Sequence, residues 1–94
     1  MIADILGRGK EAAKTSRDIC SLLGIELRVL TNAIMNERRK GAPICSITSG
    51  ETRGYFLAAN KGEMLHLCGS LHRRAREIDE TREACMRTLD DLPE

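Results

Sequence analysis

The stretch from Leu23 to Ala58, LGIELRVLTNAIMNERRKGAPICSITSGETRGYFLA, constrains this chain more than any other. It predicts an amphipathic helix with a basic end, a glycine stop, a short apolar strand, a polar loop and a second short strand. Leu27, Leu30 and Ile34 recur at helical spacing and are expected to face the core. Arg28, Val29, Asn32, Met35, Asn36 and Arg39 lie largely off that stripe. The helix is expected from near Glu26 to about Lys40. Gly41 ends it, and Pro43 prevents its resumption. Tyr55, Phe56 and Leu57 have the composition to pair as a strand with residues 43–46. The intervening TSGETRG is polar and carries two glycines, as a hairpin loop should.

Upstream, Ile2, Ile5 and Leu6 share one face of an expected short first helix, and GRGKEAA is expected to be a loop. Thr15 or Ser16 can cap the next helix, with Asp18 three residues after Thr15. Ile19, Leu22 and Leu23 are its expected apolar face, and Gly24 closes it. The turn between this helix and the next is only a few residues long, which fits a helix-turn-helix.

Downstream, Asn60 can cap a last helix, with Glu63 at its third position. That helix is expected from Lys61 to Leu92, about 45 Å long, with Pro93 beyond it. Met64, Cys68, Leu71, Ala75, Ile78, Arg82, Cys85, Leu89 and Leu92 follow an uninterrupted 4-3-4-3 spacing in which only Arg82 is polar. Such a seam is the pattern of a coiled coil. A domain of some sixty residues covers only the first turns of so long a helix. The seam residues Cys68, Leu71, Ala75, Ile78, Arg82, Cys85 and Leu89 are therefore expected to form a homodimer interface. The alternative is a helix that folds back over its own domain. Arg73 with Glu77, Arg76 with Glu80, and Glu83 with Arg87 are expected i,i+4 pairs on a solvated face.

Composition narrows the function. At 94 residues the chain fits one domain, 1–59, with an appended helix, 60–94. One Tyr, one Phe and no Trp leave Leu, Ile, Val, Ala, Met and Cys to build the core, and argue against single-stranded RNA reading, which needs stacking aromatics. No apolar run is long enough for a membrane span, and no signal-peptide pattern opens the chain. Cys20, Cys45, Cys68 and Cys85 form no CxxC pair; each sits in an apolar pattern, which predicts reduced thiols in a cytoplasmic protein. A zinc site built on Cys68 and His72 lacks the usual paired spacing. No phosphate loop, HExxH or nucleophile elbow is present, so neither an enzyme nor a cofactor is expected. Net charge is only +1, but residues 1–58 carry nine basic against six acidic side chains, and residues 59–94 carry six against eight. The positive excess coincides with the helix-strand segment, which favours a nucleic-acid partner.

With GIELRVLTNAIMNERRKGAPICS and GYFLA both in place, the chain resembles the winged helix-turn-helix domain of the biotin repressor. It resembles more closely small winged-helix proteins of phages and prophages of Gram-positive bacteria, which share a G-x-P-I-x-S first strand and a G-Y-[FYW]-L second strand. The matching region runs from about Ser16 to Asn60. The resemblance implies a mainly α fold of three helices and a two-stranded wing, followed by a long C-terminal helix. It also implies double-stranded DNA as partner, in transcriptional control or replication, together with other phage or host proteins of those processes. In such a fold Arg28 and Asn32 reach bases, since Arg pairs with guanine and Asn with adenine. Ser16 and Arg17 hold phosphates at a helix start, and Arg39 and Arg53 are further DNA contacts. The run Arg38-Arg39-Lys40 also suits a helix C-terminus without any ligand. Glu26 departs from the pattern, where Ser or Thr is usual, as does Glu37, where Leu is frequent. With Glu51, these acids near the expected DNA face favour the competing reading, a module that binds protein rather than DNA.

Overall fold

The structure is a computed structural model, and it describes residues 1–47 and 54–94. Three α-helices and a small antiparallel sheet carry the architecture: α1 (Ser16–Leu23), α2 (Leu27–Arg39), α3 (Lys61–Met86), and strands β1 (Lys14–Thr15), β2 (Ile44–Ile47) and β3 (Gly54–Leu57). Short 3-10 turns occupy Ile2–Ile5, Lys10–Ala12 and Leu89–Asp91.

The helix boundaries follow from local chemistry. The Thr15 hydroxyl accepts from the Asp18 amide at 3.1 Å and starts α1. Gly24 stops it in the left-handed region (φ 66°, ψ 38°), a conformation that costs a residue with a Cβ. Asn60 Oδ1 accepts from the Glu63 amide at 2.9 Å and starts α3. The Glu63 carboxylate reaches back to the Ala59 amide (2.7 Å) and to the Lys10 amide (3.2 Å), tying the helix start to the N-terminal segment.

The sheet has the order β1-β3-β2, with three strands where the wing alone predicts two. Lys14 pairs with Tyr55 and Thr15 with Gly54. A two-residue strand has no periodicity to read from sequence. Gly54 permits this pairing, since a Cβ there would sit 3.0 Å from the Lys14 carbonyl oxygen. Upstream, Arg8 forms a parallel bridge with Leu57, with 2.8 Å bonds from Leu57 N–H to Gly7 O and from Gly9 N–H to Leu57 O. The segment expected to be a loop is thus tied at its start to Leu57 of β3 and continues as the 3-10 turn Lys10–Ala12.

Strand alternation divides the interior in two. Ile44, Tyr55 and Leu57 point to one face, where Ile2, Leu6, Ile19, Leu30 and Ile34 complete a core with α1 and α2. Cys45, Ile47 and Phe56 point to the other, where Ala58, Leu67 and Met64 form a second cluster under α3. Full burial of side chains such as Ile19, Leu30 and Ile44 stabilises by about 1.5–3 kcal/mol each.

Several expected core positions lie outside. Leu22 is 66% and Leu27 54% exposed, and Leu23 is also exposed. Ile25, in the turn between α1 and α2, packs against the core in their place. The first helix is a four-residue 3-10 turn, of which Ile2 is buried. The last helix ends at Met86 rather than Leu92. There the Thr88 hydroxyl and amide both donate to the Cys85 carbonyl, at 2.8 and 3.2 Å, closing a tight turn. Of the cysteines, all free, Cys45 is buried and Cys20 half-buried, whereas Cys68 and Cys85 are exposed. Among the described residues no helix is long and apolar enough to cross a membrane.

Candidate nucleic-acid interface

α1 and α2 are joined by the three residues Gly24 to Glu26 and pack through Ile19, Leu30 and Ile34. Because α2 buries Leu30, Ile34 and Glu37, residues half a turn away must face out. Arg28, Asn32, Met35 and Arg39 are spaced four, three and four residues apart and are all exposed. They form one continuous outer face. The pattern predicted this face, and the burial of its opposite side fixes its direction.

Ser16 is the first residue of α1 and half-buried; Arg17 is the second and exposed. Both follow Thr15, which pairs with Gly54, the residue of β3 that also pairs with Ile47 at the end of β2. The α1 start therefore adjoins the hairpin. Arg53, with Thr48, Ser49, Glu51 and Thr52, lies outside the described residues.

Two charged residues at the end of α2 turn inward, against expectation. Glu37 is only 6% exposed. Its Oε2 accepts from the Ile2 amide at 2.7 Å and its Oε1 from the Ala3 amide at 2.9 Å. The N-terminal 3-10 turn has no side-chain cap of its own, so this carboxylate supplies one from a distant helix. Glu37 therefore does not place negative charge on the outer face of α2. Glu26 precedes α2 as its N-cap residue and is exposed, with no side-chain capping bond.

Arg38 lies four residues after Ile34, on the flank of the buried stripe, which is the only sequence signal of its inward turn. Its Nε donates to the Ile44 carbonyl on β2 at 2.8 Å, while its Nη2 is buried with no hydrogen-bond partner. Burial lowers the Arg38 pKa, and nearby Arg74 lowers it further. Burial also raises the Cys45 thiol, with Glu63 adding to the effect. Arg39 and Lys40 remain exposed, so only part of the basic run is available to a ligand.

On α3, Met64 and Leu67 pack against the second core cluster, and from Leu71 onward every residue is exposed. Cys68, Leu71, Ala75, Ile78 and Cys85 of the seam are thus uncovered, Ile78 at 70%. Arg82 Nε contacts Asp79 Oδ1 at 3.1 Å. Leu89 stands in the 3-10 turn after the helix, so the regular seam ends at Cys85. None of the expected i,i+4 ion pairs on α3 forms among the described residues; the pair present is i,i+3, Asp79 with Arg82. Among the described residues no three His, Cys, Asp or Glu side chains are placed to hold a metal ion, and Cys68 with His72 has no third ligand.

The chain matches no protein-family model, no curated protein and no solved structure.

Proposed function

We propose that this chain is a winged helix-turn-helix protein that binds double-stranded DNA as a homodimer. The observation that carries the reading is the outer face of α2: Arg28, Asn32, Met35 and Arg39 are exposed, lie opposite the buried stripe, and share a surface that Glu37 does not enter. In this reading α2 enters the major groove, with Arg28 and Asn32 at base edges. Arg39 and Arg17 neutralise phosphates, the α1 start at Ser16 offers backbone amides, and Arg53 extends the contact from the hairpin. The uncovered seam of α3 joins two copies, so that two α2 helices read two half-sites. A phage or prophage role in transcription or replication follows from the sequence resemblance alone.

Selection from a random double-stranded DNA pool at two salt concentrations tests the reading. An enriched motif with inverted half-sites is the expected result. Salt-sensitive retention without a motif would leave phosphate binding and remove base reading. No retention at low salt would overturn DNA binding and favour a module whose partner is protein.

A further inference from the structure

A cleft of about 720 Å³ opens between α3, the end of α2 and the free edge of β2. Its volume falls within the range of small-molecule sites, about 300–1,000 Å³. Its walls combine two chemistries. Phe56, Leu67 and Leu71 give it an apolar side, and Arg38, Arg73 and Arg74 a cationic one.

The cationic side is not neutralised from within the chain. Arg38 Nη2 is buried and has no acceptor. None of the three guanidinium groups is within ion-pair distance of a carboxylate among the described residues. Glu63 lines the cleft, but its two carboxylate oxygens are engaged by the Ala59 and Lys10 amides. Glu77 also lines it and pairs with neither Arg73 nor Arg74. A partly buried guanidinium with an unused donor, beside a second guanidinium, favours an oxyanion, which accepts such bonds in a bidentate manner.

We propose that this cleft binds an organic anion with an apolar body, its phosphate or carboxylate group held by Arg38 and Arg74. None of Arg28, Asn32 and Arg17 lines the cleft, so the site does not draw on the residues proposed to touch DNA, although it shares Leu71 with the α3 seam proposed to join two copies.

The test titrates the full chain with phenyl phosphate and, separately, with inorganic phosphate at constant ionic strength. The readout is the Arg38 Nε–H signal and the amide signals of Ser46, Leu67 and Leu71 in heteronuclear NMR spectra. Saturable shifts are expected, with phenyl phosphate bound more tightly than inorganic phosphate. Arg74→Ala should weaken phenyl phosphate by about tenfold, the loss of one charge-assisted bond. Arg74 is exposed, so its removal leaves both core clusters in place, and the same spectra check this. Arg76→Ala, at a residue outside the cleft, should leave affinity unchanged. The absence of saturable shifts at millimolar phenyl phosphate would overturn the proposal. So would equal losses in the two variants, which would indicate a diffuse cationic surface. Equal affinity for the two probes would overturn the role of the apolar wall.

Discussion

Glu37→Gln probes the least expected feature of this fold. The carboxylate accepts from two backbone amides at 2.7 and 2.9 Å while 6% exposed, and so ties the start of the chain to the end of α2. Glutamine keeps the shape and one acceptor oxygen. Its NH2 group turns the second contact into a donor facing a donor. One bond to a charged acceptor is lost, the other becomes neutral, and a buried N–H is left unpaired, for a cost of about 2–4 kcal/mol. A 94-residue domain has roughly 5–14 kcal/mol of total stability. The melting temperature should therefore fall by roughly 10–20 °C. Urea and thermal denaturation followed by circular dichroism measure the change. Glu26→Gln, at the exposed residue with no side-chain capping bond, is the control and should stay within about 0.5 kcal/mol of wild type. If Glu37→Gln were equally neutral, the two hydrogen bonds would contribute nothing net. The carboxylate would then be tolerated at this position rather than used.

Other perturbations address the remaining elements. Arg28→Ala should weaken binding at the best selected DNA site by about 1–3 kcal/mol, measured by fluorescence anisotropy; unchanged affinity would reject base reading by this residue. Ile78→Asp should shift a wild-type dimer to monomer in sedimentation equilibrium with the circular dichroism spectrum retained, and a monomeric wild type would refute the seam. Gly54→Ala brings a methyl group to 3.0 Å from the Lys14 carbonyl oxygen and should cost about 1–3 kcal/mol in urea denaturation. Because burial raises the Cys45 pKa, its contribution is complete below the unfolded thiol value of about 8.5 and is lost as pH rises through the folded value. The urea midpoint should accordingly decline above that pH, and less steeply in Cys45→Ala; parallel curves would exclude Cys45 as the cause.

Elements whose signals are local were legible from residue type and spacing. The Asn60 cap and the Gly24 stop each join residues close in the chain, so residue type and spacing were enough to place them; spacing narrowed the first cap to Thr15 or Ser16, and the structure uses Thr15. The outer face of α2 was equally legible, since Leu30 and Ile34 define its opposite. Tertiary structure decided whatever depends on partners far along the chain. No periodicity marks β1, because its two residues exist as a strand only against β3. Glu37 and Arg38 read as surface charges until the Ile2 and Ala3 amides and the Ile44 carbonyl give them partners. Leu22 and Leu27 read as core, yet Ile25 packs there instead. The same division holds for the cleft: its guanidinium groups come from α2 and α3, and only the docking of α3 on the second face of the sheet brings them together. Hydrophobic periodicity specifies which side of an element is apolar, but the packing of one element on another decides how far that side is covered and which polar groups must turn inward to satisfy the backbone.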